Sequence, residues 1–125
     1  MNSRSFPAHP SSLFEVRRFI RDRAAETGFS PDSTDDIVLA ASEACANAAL
    51  HSGSPMVHVT WETDPERIVV EVADDGVFRR RAPFLEADGA QGHGIALIIA
   101  LLDEVNIREG NEGGPGTVVR MIKYR

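Results

Sequence analysis

The sequence predicts an α/β domain built as a two-layer sandwich, with helices on one face of a mixed, mostly antiparallel sheet. Three observations carry that expectation. Two stretches near the N-terminus follow helical spacing, two pairs of apolar segments alternate with period two, and the order is helix, helix, strand pair, loop, helix, strand pair. At 125 residues, the chain is expected to form one domain over residues 1–125, long enough to bury a single core.

Residues 3–7 are compatible with a short strand that ends at Pro7 and Pro10. From Ser11 or Ser12, with Glu15 placed as in a capping box, Leu13, Val16, Phe19, Ile20 and Ala24 keep helical spacing up to Gly28. The other face of this helix carries Arg17, Arg18, Arg21 and Arg23, either a solvated surface or a contact for an acidic partner. Residues 31–34 supply a stop and the next N-cap, and a second helix is expected from Asp35 to Ser52, with Asp35 and Asp36 in its first turn, where the helix dipole favours negative charge.

Gly53-Ser54-Pro55 ends that helix, and Val57, Val59 and Trp61 then alternate with His58 and Thr60 as in a half-buried strand. Asp64-Pro65-Glu66-Arg67 turns the chain into a second strand, Ile68 to Asp74, so that an antiparallel hairpin is the simplest connection. Val77 to Gln91 lacks periodicity and reads as a long loop, of the kind that often serves as a functional lid. Ile95 to Leu102 is apolar on every side and predicts a helix buried against the sheet. Val105 to Arg108 and Thr117 to Lys123 complete the strands across the turn-forming NEGGPG.

Composition narrows the function. A net charge of −6 disfavours a general nucleic-acid binder, because phosphate contacts need a Lys/Arg surface. No apolar run approaches the ~18 residues of a membrane span and the N-terminus lacks the apolar core of a signal peptide, so no membrane contact and a cytoplasmic location are expected. The one cysteine, Cys45, lies about 200° around the helix from Glu43 and reads as a small buried hydrophobe.

The second helix carries the unusual pattern. Steps of four residues advance its face by only about 40°, so Glu43, Asn47 and His51 form a narrow polar stripe that Asp36 begins, on a helix otherwise apolar nearly all round. A buried carboxylate and amide need partners, since leaving them unpaired costs on the order of a few kcal/mol. A bound ligand can supply them, as can partial solvation of Glu43 and a backbone bond to Asn47. A Glu/His transition-metal site fits less well, because Asn is a poor ligand and the order H-E-x-x-H is absent.

Three glycine motifs follow. Asp74-Asp75-Gly76 closes the second strand of the first pair and is, alone, compatible with a hairpin turn. Gly92-His93-Gly94-Ile95 leads into the apolar helix, where bare N–H groups and the positive end of the dipole make a phosphate seat. It is neither a dinucleotide fingerprint nor a P-loop. Gly116-Thr117 opens the last strand and, alone, reads as a turn.

In this order and spacing, the E-A-C-A-N-A stretch of Glu43 to Ala48 and the three glycine motifs resemble the GHKL (Bergerat-fold) ATP-binding domains, and most of all the bacterial anti-sigma factor serine-protein kinases. The resemblance runs from about Ser11 to Lys123 and implies the histidine-kinase-like ATPase fold with ATP and Mg²⁺ as cofactors. It implies that Asp74 accepts a hydrogen bond from the exocyclic amine of adenine and that Gly76 lets the ring approach the backbone. By the same resemblance, Asn47 holds Mg²⁺, Gly92, Gly94 and Ile95 belong to the phosphate-binding box, Thr117 lies in the third box, and Glu43 is the general base for a hydroxyl attacking the γ-phosphate. Two departures stand out: Phe78 replaces the second glycine of the first box, and Gln91 and His93 stand where basic residues are frequent, leaving Arg79, Arg80 and Arg81 either as cations for the phosphates or as a solvated charge run of the loop.

The function so implied is an ATP-dependent serine-protein kinase and anti-sigma factor. It sequesters a sigma factor, phosphorylates an anti-anti-sigma (STAS-type) protein, and pairs as a homodimer through Trp61 or the first strand. The alternative is a nucleotide-gated protein-binding module without phosphotransfer.

Overall fold

The computed structural model describes residues 2–51, 55–74, 98–109 and 116–124. Five strands, β1 (Asn2–Pro7), β2 (Met56–Asp64), β3 (Arg67–Asp74), β4 (Glu104–Glu109) and β5 (Thr117–Tyr124), form one sheet in the order β1-β2-β3-β5-β4. Every neighbouring pair is antiparallel, so the expected mixed sheet is, over the described strands, purely antiparallel. Two helices, α1 (Leu13–Thr27) and α2 (Pro31–His51), lie on one face. Residues 98–101 are helical as well.

Local chemistry sets the boundaries. A 3-10 turn at Pro10–Ser12 precedes α1, and Ser12 makes no side-chain cap, so the expected capping box does not form. His9 takes the capping role for the turn, its Nδ1 accepting from the Ser11 backbone N–H at 3.0 Å. Gly28 ends α1 at φ 78°, a left-handed conformation that a Cβ disfavours. α2 starts a turn earlier than its polar pattern suggests. The Ser33 N–H donates to Ser30 Oγ at 3.1 Å, and Pro31, whose missing N–H costs nothing at the first helical position, begins the helix. Between β2 and β3, Asp64 Oδ1 accepts from the backbone N–H groups of Glu66 and Arg67, at 2.8 and 3.0 Å, which fixes the two-residue turn.

The period-two pattern settles which strand residues face the helices. Val57, Val59 and Trp61 of β2, Ile68, Val70 and Val72 of β3, and Val119 and Met121 of β5 are buried together with Val16, Ile20 and Ala24 of α1 and Ile37, Ala41 and Ala44 of α2. Phe6 of β1 meets Phe19 edge to face at 6.1 Å. The burial of Trp61 beneath the helices removes it from any contact between copies. The opposite sheet face carries His58, Thr60, Glu71 and Arg120, with Arg120 donating to Glu71 at 2.8 Å.

Two helical expectations need correction. Within the apolar run from 95 to 102, Ile98 and Leu102 are buried but Ile99 is 58% exposed, because a helix against a sheet buries one side only. In α2, Leu39 is 41% exposed and Glu43 and Ala46 are half-buried, since the helix forms the outer layer of the molecule. The loop expected from 77 to 91 lies outside the described residues.

Candidate functional site

Asp74 ends β3 and Thr117 begins β5, and the antiparallel register places them opposite one another. Both share phase with Val72 and Val119 and so point to the helix-covered face, where both are buried. Gly116, at φ 102°, turns the chain into β5 in a conformation that a side chain disfavours. Asn47 lies in the last third of α2 and is only 7% exposed. Glu43, one turn earlier, is half-buried and makes no ion pair among the described residues.

An ion pair sets how α2 lies on the sheet. Lys123 Nζ is 3.1 Å from Asp36 Oδ2 and donates to the Leu101 carbonyl at 2.9 Å, tying the start of α2 to the end of β5. From Asp36 to Asn47 the helix advances by roughly 16 Å, and from Lys123 back to Thr117 the strand covers about 20 Å. As α2 packs on β3 and β5, this registration carries its C-terminal half towards the strand ends that hold Asp74 and Thr117. Asp36, read from the sequence as the start of the polar stripe, is therefore a structural tie. Its partner was legible in principle: Lys123 continues the inward phase of Thr117, Val119 and Met121.

Two buried polar atoms lack a hydrogen-bond partner among the described residues, Asn47 Nδ2 on α2 and Thr117 Oγ1 at the start of β5. Each such orphan costs about 1–3 kcal/mol, and a ligand that reaches it recovers that cost. The donor chemistry fits a nucleotide and its metal. An amide offers an oxygen to Mg²⁺ or, turned by half a rotation, an N–H to a phosphate oxygen, and a threonine hydroxyl both donates and accepts. Among the described residues, no group of three or more His, Cys, Asp or Glu side chains is placed to hold a metal.

Of the other residues singled out in the sequence, Gly76, Gly92, Gly94 and Ile95 lie outside the described residues, as do Phe78 and Arg79 to Arg81. The His51 side chain does too. Burial pushes the Cys45 thiol up to about 12, consistent with a core residue and not a nucleophile. Two open depressions on the described surface, lined among others by Glu104 and Arg120 and by Glu62 and Glu71, lie on the sheet face away from α1 and α2 and include none of the candidate residues.

Residues 6–123 match the family described as the histidine kinase-like ATPase domain. Among curated proteins, the serine-protein kinase RsbW of Bacillus velezensis is 29% identical over 134 residues, covering 94% of this chain and 81% of that protein. RsbW of Bacillus subtilis is 28% identical with the same coverage. Among solved structures, the RsbU and RsbW domains of a Mycobacterium tuberculosis protein superpose with a TM-score of 0.68 at 24% identity, covering 100% of this chain and 33% of that one. The histidine kinase domain of a blue-light activated kinase from Erythrobacter litoralis gives 0.58 at 20% identity, covering 94% of this chain and 61% of its own. At these identities the two structures speak for the fold alone.

Proposed function

Because the chain belongs to the histidine kinase-like ATPase domain family, we propose that it is an ATP-dependent serine-protein kinase and anti-sigma factor, which sequesters a sigma factor and phosphorylates an anti-anti-sigma protein of the STAS type. The observation that carries the proposal is the pair of orphaned polar atoms on Asn47 and Thr117, the latter opposite Asp74, in a chain alignable over 94% of its length with proteins named serine-protein kinases. The partners follow from the resemblance of the motifs to anti-sigma factor kinases.

In this reading, Asp74 accepts from the exocyclic amine of adenine, and Thr117, opposite it, offers its hydroxyl to the same base or to a water beside it. Asn47 presents its amide oxygen to Mg²⁺, with Gly92, Gly94 and Ile95 as the phosphate-binding box. Bound Mg²⁺ neutralises and positions the phosphate oxygens. Glu43, half-buried and unpaired among the described residues, is free to take the proton of an incoming serine hydroxyl. Its position one helical turn from Asn47 puts base and metal ligand on one face.

The test uses radiolabelled ATP and a STAS-type partner. Wild-type protein is expected to label the partner on serine. Glu43→Ala is expected to retain ATP and partner binding and to label about 10²–10⁴-fold more slowly. Asn47→Ala is expected to lose metal-dependent ATP binding and labelling together. Equal labelling rates for wild type and Glu43→Ala would defeat the general-base role. A wild-type protein that binds ATP and partner but yields no phosphoserine would establish the nucleotide-gated binding module instead.

A further inference from the structure

α2 meets the rest of the protein through a surface with little relief. Of its buried residues, Ala40, Ala41, Ala44 and Ala48 carry a single methyl each, and Ile37, near its start, is the largest. Side chains that short make shallow ridges, so apolar packing holds the helix against the core but sets its rotation about its own axis only weakly. Directional polar contacts then decide that rotation. With Glu43 taken as zero around the helix, Asp36 and Asn47 fall within about 40° on one side, and Asp35 and Ser42 lie about 80–100° away on the other.

Each flank has its own contact. Towards β5, Asp36 pairs with Lys123, as described above. Towards α1, Arg17 Nε donates to Ser42 Oγ at 2.9 Å, and Arg21 Nη1 donates to Asp35 Oδ1 at 2.9 Å. The two α1 contacts are unequal. The Arg21–Asp35 pair is more than half exposed at both ends and holds the helix weakly. Ser42 is only 2% exposed, so its hydroxyl takes a charge-assisted bond at the edge of the core. Position along the helix separates them further. Asp35 and Asp36 lie about two turns before Glu43, whereas Ser42 is its immediate neighbour, so the Arg17 bond alone among these contacts acts at the level of the carboxylate.

We propose that Arg17 is a positioning residue for phosphotransfer: through Ser42 it fixes the rotational setting of α2 and so aims Glu43 at the incoming hydroxyl. The role of Glu43 rests on the kinase reading above, whereas the setting of the helix is a property of the fold. Side-chain ends lie roughly 5–6 Å from a helix axis, so a rotation of about 10° moves the Glu43 carboxylate by about 1 Å. A misplacement of that size costs on the order of 10²-fold in rate. Asp74 and Thr117 sit on strands and do not turn with α2, so loss of the bond should lower the rate further than it lowers ATP affinity. Ser42 points towards α1, about 100° from Glu43, and acts only through the helix.

The full-length chain is compared with Ser42→Ala, with Arg17→Met, which keeps the stem and removes the donor, with the double variant, and with Arg17→Lys. Residual dipolar couplings of backbone amides in the isotopically labelled proteins report the setting of α2 against the sheet. Expected are altered couplings over residues 36–47 with the sheet unchanged, and labelling of a STAS-type partner slowed roughly 10–100-fold at saturating ATP and partner. ATP affinity by calorimetry should change less than about threefold. The double variant should be no slower than the slower single one, because both break the same bond, and Arg17→Lys should recover most of the rate. Ser42 is buried and cannot reach a partner, so a matching loss in Ser42→Ala assigns the effect to the bond and not to contact of an exposed arginine with the substrate protein. Unchanged α2 couplings in the two folded single variants would overturn the proposal whatever the rates do, as would additive rate losses or a loss confined to Arg17→Met. A wild-type protein that yields no phosphoserine, with α2 turned in both single variants, counts against the kinase reading and leaves the helix setting assigned to Arg17.

Discussion

In the proposed kinase, Asp74 is the residue assigned to recognition of the base. It is a buried strand-end carboxylate opposite Thr117, and a carboxylate accepts from an adenine amine where an amide must give up half of its acceptor character. Asp74→Asn is expected to lower ATP affinity by about tenfold or more, with the fold intact by circular dichroism; calorimetry provides the measurement. Cys45 supplies a second prediction at this scale. Its thiol titrates near 12 when folded and near 9 when exposed, so between those values the unfolded chain has lost a proton that the folded chain keeps. The contribution of Cys45 to stability is thus fully present below pH 9 and declines as pH rises towards 12. Urea midpoints of wild type and Cys45→Ala, compared at pH 8 and pH 10, should converge or cross as pH rises. In the folded protein the thiol should resist alkylation at neutral pH.

At the scale of elements, α2 is held at its start by two kinds of chemistry. Ser30 caps its start, and Asp36 locks it to β5 through Lys123, which also donates a hydrogen bond to the Leu101 carbonyl at the end of helical residues 98–101. Lys123→Met is expected to cost about 1–2 kcal/mol, discounted for the partial exposure of Asp36, and Asp36→Asn should cost less in its presence than alone. Urea denaturation of the two single variants and the double variant measures that coupling; additive losses would mean that the pair does not register the helix. Since the pair sets where Asn47 lies over the sheet, Lys123→Met should also weaken ATP binding, with a larger effect on affinity than stability alone explains.

For the whole molecule, the described sheet ends in an outer strand, β1, on the side away from β3. Trp61 faces the core, so a homodimer must use another surface, and β1, paired only with β2 among the described strands, is the remaining candidate of the two considered. Sedimentation is expected to show a dimer at tens of micromolar, approximately, and Ser5→Pro, which removes a donor from β1, is expected to shift it towards monomer. A monomer with and without nucleotide would exclude pairing. Among the described residues no helix is long and apolar enough to cross a membrane.

The sequence by itself determined the elements, the faces of the strands and the identity of the candidate nucleotide residues. Those features are local: period-two alternation, helical spacing and short motifs such as Glu43 to Ala48 are written in neighbouring residues. Tertiary structure alone decided what each polar group does, because that depends on partners distant in the chain. Asp36 belongs to the Glu43/Asn47 stripe by spacing but is taken by Lys123, 87 positions later, since a strand residue in inward phase meets the helix start there. Asn47 and Thr117, 70 positions apart, each keep a buried atom without a hydrogen-bond partner among the described residues, which spacing along the chain cannot show. Leu39 and Ile99, apolar and expected inside, are exposed because an outer helix has only one side to bury, and no periodicity tells which way that side is turned until the sheet is in place.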